Sequence, residues 1–298
     1  MNEIPASSVV AELPITQWEG PFSPEDQDRA VAALESGKVV SLPDLPFAVK
    51  ASEERYLRPD AAGGERKNIS LDPGTGKLSN TTLPPKDTAA LGAMIERFGR
   101  AASSLVSGLI PQYAGALKRA RTSFRPVEIS GRAYSPRHDD RRLHVDAFPT
   151  RPLHGDRILR VFSNVAPDGN VRCWNVGEPF PQFAEAFLPR LRRSIPGEAR
   201  VLAGLGLTKG RRSSYDEIML RLHDAGKQDE HYQTLCPKAA LSFAPGTTWM
   251  CFTDQVLHAA LSGHCALEQT FHLPIQAMAE PSLAPVRVLE RLSGRSLV

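Results

Sequence analysis

The alternation of apolar and polar positions changes character near residue 120. Before it, apolar residues recur at helical spacing. "FSPEDQDRAVAALESGK" (22–38) predicts a helix: Ser23 is a good N-cap, Pro24 takes the first helical position, and Asp26 completes a capping-box-like pattern. "VVSLPDLPF" (39–47) follows as strand and turn. Residues 58–87 are polar with Gly and Pro throughout and predict a long loop or lid. Residues 87–110 carry Leu91, Met94, Ile95, Phe98 and Leu105 on one helical face. Beyond 120, short runs rich in β-branched and aromatic residues are separated by turn signals such as "PDGN" and "PGT". Two helical segments interrupt them, 181–195 and 213–227, the second with Ser213 as its cap. Many short strands predict a barrel or a double-sheet jelly roll. The reading is an α+β, mainly β chain forming one catalytic domain. A helical N-terminal layer (1–119) and a helical insert (181–227) pack outside a jelly-roll core (120–278), and a tail (279–298) follows.

Composition narrows the class. The apolar fraction of 41% and charged fraction of 23% are those of a water-exposed globular protein. No stretch has the roughly 20 apolar residues of a membrane span. The N-terminus lacks the basic and apolar regions of a signal peptide, so a cytoplasmic location is expected. The four cysteines form no C-x-x-C pair and read as free thiols. The net charge of +3 conceals a local excess: residues 100–160 hold twelve Lys and Arg against five Asp and Glu, and all but one of the twelve are Arg. Arg grips carboxylates and phosphates with a planar fork, so this bias predicts an anionic ligand.

His-x-Asp occurs three times: His138/Asp140, His144/Asp146 and His154/Asp156. In a strand such a pair points to one face and can grip one metal. His138 lies in a charge cluster and His154 beside Gly155, both contexts for loops. In "LHVDAF", Leu143, Val145 and Ala147 supply an apolar face opposite His144 and Asp146, so this pair is favoured. A metal triad with open positions needs a second His from elsewhere. In 245–276 the best candidate is His258, where the chain reverses at a strand mouth; His264 and His272 are rivals.

"GTTWMCFTDQVLHAALSGHCALEQTFHLP" resembles the closing segment of the Fe(II)/2-oxoglutarate dioxygenases, which have a double-stranded β-helix fold. Together with "LHVDAFPTRPLHGDRILRVFSNVAPDGNVRCWNVGEPF" (143–180) it resembles the bacterial hydroxylases that act at carbon 3 of 3-deoxy-D-manno-oct-2-ulosonic acid (Kdo) in lipopolysaccharide. The resemblance runs over most of the chain and is strongest from 120 to 278. It implies His144, Asp146 and His258 as iron ligands, with 2-oxoglutarate and O₂ as cosubstrates. Many relatives hold the distal carboxylate of 2-oxoglutarate with a basic residue about ten positions beyond the second His; here that position is Glu268. Some branches take the anchor from the strand after H-x-D. Arg160, with Asn164 as a second contact, is then the candidate, and Arg157 its rival on the opposite face.

The implied reaction yields succinate, CO₂ and a hydroxylated sugar. Kdo-linked lipid A as substrate gives the arginines a use: Arg125, Arg132, Arg137, Arg141, Arg142 and Arg151 are candidates for its carboxylates and phosphates. His138, Asp140 and His154 are candidates for the mouth or for loop surface. A lipid-linked substrate also implies peripheral contact with the inner membrane, with "LPRLRRSIPGEARVL" (188–202) as the basic candidate. Competing readings are an oxygenase acting on protein or nucleic acid, a non-catalytic cupin-like module, and a zinc hydrolase. Nucleic-acid binders usually add exposed aromatics for stacking, and this chain is only 7% aromatic, mostly in strand-like runs, so no nucleic acid is expected.

Overall fold

The computed structural model describes residues 3–63, 68–131, 134–191, 204, 206, 208 and 210–298. Eleven strands among them form two sheets. The larger has the order β1 (Val10–Glu12), β2 (Val39–Leu42), β9 (Thr248–Phe252), β6 (Arg157–Asn164), β11 (Ala266–Leu273), β5 (Lys118–Arg125), β3 (Ile69–Leu71) and β4 (Leu78–Ser79). The smaller has the order β10 (His258–Ser262), β7 (Arg172–Val176) and β8 (Ala239–Phe243). Among these eleven strands only the β1–β2 pair is parallel.

The pleat sorts side chains to two faces. On the outer face, Leu159, Val161, Met250, Phe252, Leu267 and Phe271 meet Leu91, Met94, Ile95, Phe98 and Leu105 of the helix α2 (Pro85–Leu109) in one cluster. All five helix residues are fully buried, each stabilising by up to roughly 1.5–3 kcal/mol. On the inner face, Phe162 and Trp249 of the large sheet pack on Trp174 and Phe243 of the small one. Trp249 and Phe243 stack with ring centres 4.0 Å apart.

Helix α1 (Pro24–Glu35) starts as expected, with the Ser23 hydroxyl accepting from the Asp26 amide. Helix α3 (Phe180–Phe187) and helix α4 (Ser214–Gln228) fill the insert, α4 beginning in a full Ser213/Asp216 capping box. Residues 192–203 lie outside the described residues, and with them most of the basic stretch at 188–202.

Three boundaries differ from the sequence reading. Residues 1–119 are not a purely helical outer layer: they contribute β1 to β4, which extend both edges of the large sheet. The polar segment 58–87 contains β3 and β4, and Ile69 pairs with Phe124 of β5. Residues 279–298 are not a loose tail. They form a further helix, Pro285–Ser293, whose Val286 and Leu289 are fully buried in the outer cluster.

Candidate active site

The segment "LHVDAF" is extended but too isolated to count as a strand. Only His144 bridges, to His258 at the start of β10: each amide donates to the other's carbonyl, at 3.1 and 2.9 Å. The Asp146 amide donates to the Thr253 carbonyl at 2.7 Å. Leu143 and Val145 are buried, as the alternation predicts, and His144 and Asp146 face the other way.

These bonds bring His144, Asp146 and His258 together, with one ligand atom from each all within 4.8 Å of one another. The Nδ1 of His144 lies 2.8 Å from the Arg142 carbonyl, and that of His258 lies 2.8 Å from the Val256 carbonyl. A carbonyl can only accept, so each Nδ1 carries the proton and each Nε2 keeps its lone pair for a cation. Burial holds both imidazoles below the ordinary His pKa; at His144 the charges of His258 and Lys227 add to it. Burial would raise the Asp146 carboxyl, but Arg160 overrides it and holds the group well below the carboxylate range. Two neutral imidazoles and one fixed carboxylate fit a divalent metal with open positions.

Behind the triad lies a polar chamber of about 220 Å³ between the sheets, lined by Arg125, Arg160, Phe162, Arg172, Trp174 and Asn68 among others. Trp174 stacks on His258 at 5.2 Å. In front is a wider cavity of about 760 Å³ that shares Asn68, Asp140, His144 and Asp146 with the chamber. Arg137 and α4 supply much of its wall.

Of the residues proposed for the cosubstrate, Arg160 faces the chamber, 3.0 Å from both Asp146 and Glu268. Arg157 does not. It is fully buried on the helix side, paired with Asp254 at 2.7 Å and lying over the Phe252 ring at 3.9 Å. Asn164 is not a chamber contact either. Its amide nitrogen donates to the carbonyls of Asn170 and Phe243, and its oxygen accepts from the Ala166 amide, so it braces a turn.

The proposed substrate arginines divide. Arg125 lines the chamber but is held by Glu268 at 2.6 Å. Arg137 lines the outer cavity, with Asp224 at 3.4 Å. Arg141 is turned onto its neighbour Asp139 and Arg142 onto Glu230, and neither lines the chamber or the outer cavity. Arg151 lines neither as well, and Arg132 lies outside the described residues. His138 and Asp140 line the outer cavity, whereas His154 stands near Asp216 at 3.7 Å. The rivals for the third ligand are elsewhere: His264 pairs with Asp168 at 3.0 Å and His272 faces Phe148.

Two groups escaped the sequence reading. Arg172 is 2% exposed, its Nε has no hydrogen-bond partner, and its Nη1 reaches only the Gly263 carbonyl at 3.4 Å. Burial, reinforced by Arg125, lowers its pKa to about 10, which still leaves it charged at neutral pH. Its strand period with Trp174 and Val176 was the available signal. Gly263 is obligatory beside it: its φ is +108°, and a Cβ there would lie 2.9 Å from the Arg172 Cα. The second group is the polar face of α4, where Glu217, Arg221, His223, Asp224 and Lys227 recur at helical spacing along the outer cavity.

Two imidazoles and one carboxylate at the mouth of a two-sheet chamber define a metal centre of the two-His, one-carboxylate type. The chain belongs to the 3-deoxy-D-manno-oct-2-ulosonic acid (Kdo) hydroxylase family, whose pattern it matches over residues 17–296. It is similar to the crystal structure of KdoO, a non-haem Fe(II), α-ketoglutarate-dependent Kdo hydroxylase, in complex with α-ketoglutarate and Fe(III). The identity is 45%, the coverage 97% of each chain and the TM-score 0.94. The cobalt(II) complex of KdoO matches at 45% identity, 97% coverage of each chain and a TM-score of 0.95. Its complex with succinate and Fe(III) matches at 44%, 97% and 0.93. No curated protein matches the chain in a sequence search.

Proposed function

We propose that this protein is an Fe(II)/2-oxoglutarate-dependent hydroxylase that acts on carbon 3 of Kdo joined to lipid A, in the lipopolysaccharide inner core. The observation that carries the reading is the convergence of His144, Asp146 and His258 in a chain 45% identical to KdoO over 97% of its length. The two facing sheets are read as the double-stranded β-helix of these oxygenases. Because β2 pairs with β9 and β3 with β5, joining the N-terminal strands to the later ones in one sheet, the chain is read as one catalytic unit.

His144, Asp146 and His258 would hold the iron, each imidazole through Nε2. Bound Fe(II) with 2-oxoglutarate and O₂ supplies the oxidation, releasing succinate and CO₂ as the sugar gains a hydroxyl. Arg160 keeps Asp146 ionised and oriented. The distal carboxylate of 2-oxoglutarate is received in the chamber by Arg160 and Arg172. Arg160 already serves two carboxylates, so Arg172 has the greater capacity to donate. Phe162 and Trp174 wall the chamber from water, which strengthens these ion pairs. The wider cavity takes the sugar acid, with Arg137 and the cationic residues of α4 facing its anions. Among the described residues no helix is long and apolar enough to cross a membrane. A lipid-linked acceptor implies peripheral contact at the inner membrane.

Exchanging His144, Asp146 or His258 for Ala should abolish Fe(II)-dependent succinate formation while leaving the far-ultraviolet circular dichroism unchanged. Wild-type turnover in any one of the three would refute the assignment.

A further inference from the structure

The outer cavity has a chemical asymmetry. Cations at its rim, such as Arg137 with a side chain 59% exposed, are open to water. Lys227 is different. It sits on the cavity side of α4 with only 2% of its surface exposed. His223, one turn earlier on the same face, places its ring edge-on to that of His144 at 5.4 Å. Lys227 and His223 line the same cavity as His144 and Asp146. α4 thus brings a desolvated ammonium close to the metal ligands, on the side away from Arg125, Arg160 and Arg172.

Kdo is a 3-deoxy-2-ulosonic acid. Its carboxylate sits on carbon 2, adjacent to the methylene at carbon 3. If oxygen is delivered to carbon 3, the carboxylate must lie within the inner part of the cavity, close to the metal, and not at the rim. We propose, on the hydroxylase reading above, that Lys227 receives this carboxylate and so selects a 2-ulosonic acid, with His223 beside it as a second hydrogen-bonding group.

Two contacts of the ammonium are long. The Asp140 carboxylate is 3.7 Å from Nζ and the Arg137 carbonyl 3.3 Å. Both are longer than the roughly 2.7–2.9 Å of a charge-assisted hydrogen bond. Asp140, with a side chain 37% exposed, can turn to water when a substrate carboxylate arrives. Burial makes the new pair stronger than a rim contact would be.

The test compares Kdo₂-lipid A with its Kdo carboxamide, a neutral analogue of similar shape, in steady-state turnover by the full chain with Fe(II), 2-oxoglutarate and O₂. The wild type should prefer the acid in kcat/KM by roughly 10- to 100-fold, the value of a hydrogen bond to a charged group. Lys227→Gln should turn over both alike, with an unchanged KM for 2-oxoglutarate, and Lys227→Arg should restore most of the preference. A preference that persists in Lys227→Gln would overturn the proposal, as would a wild type that turns over acid and amide equally. In both cases the hydroxylase reading would stand. A wild type that turns over neither compound would overturn that reading and this inference with it. Co(II) binding, followed by absorbance, reports whether the Gln variant keeps its site. If it does not, Asp140→Asn decides. Removing the internal competitor should lower the KM of the acid several-fold and leave that of the amide unchanged; an unchanged KM for the acid would overturn the proposal.

Discussion

Glu268 is the residue on which the chamber's charge balance turns. It accepts from Arg125 at 2.8 Å and from Arg160 at 3.0 Å while 3% exposed. Burial would raise its carboxyl, yet the two guanidiniums hold it below the ordinary Glu range. A depressed folded pKa contributes stability that is fully present above the unfolded value of about 4.3 and is lost as pH falls through the folded value. Glu268→Gln leaves two half-buried cations short of a partner and should cost about 2–3 kcal/mol in denaturant unfolding at neutral pH. Its stability should also fall less steeply than that of the wild type as the solution is acidified. Arg160 and Arg172 are separated from Arg157 by the face they occupy. In a 2-oxoglutarate titration, Arg172→Ala and Arg160→Ala should each weaken binding at least about tenfold, the worth of a charged hydrogen bond. Arg157→Ala should lower stability with little effect on that affinity, and the reverse order would move the anchor to the helix side. The triad was legible because strand alternation separates His144 and Asp146 from Leu143 and Val145, and because His258 stands at a chain reversal. Asn164 shares its face with Arg160, but alternation gives direction and not distance: its amide is consumed by the turn it closes. Arg141 and Arg142 show the same limit for charge counting, since Asp139 and the sequence-remote Glu230 take them up.

At the scale of elements, α4 does two jobs with two faces. Tyr215, Met219 and Leu222 pack into the core, and the polar face walls the outer cavity. Its N-terminal box also fixes the loop that follows the triad, because Asp216 accepts from the amides of Leu153 and His154 at 2.8 and 3.2 Å. Ser213→Ala should lower thermal stability by about 1 kcal/mol, the value of an N-cap. Asp216→Ala should cost more, since it frees those loop amides as well, and calorimetry of the two variants would give the order. The cap and period of this helix were readable from local sequence. Its place against the site was not, because which face meets a cavity depends on contacts remote in the chain. The same holds for β1 and β3, three residues each. Runs so short carry no periodic signal, and their existence depends on partners far away in sequence.

At the scale of the whole molecule, the eight-stranded and three-stranded sheets enclose an aromatic interior and open at one end on the triad. The many short strands and their turns announced a two-sheet β structure, whereas the recruitment of N-terminal strands to both edges of the large sheet could be seen only in three dimensions. Two joined cavities meet at the triad, a small polar chamber and a larger one walled by α4, proposed above for the cosubstrate and for an anionic sugar. The most direct test is succinate release by anaerobically reconstituted Fe(II) protein supplied with 2-oxoglutarate and O₂, with and without Kdo₂-lipid A. The account predicts succinate formation stimulated by the lipid, together with a gain of one oxygen atom on it by mass spectrometry. Iron-loaded protein that releases no succinate with the lipid present would contradict it.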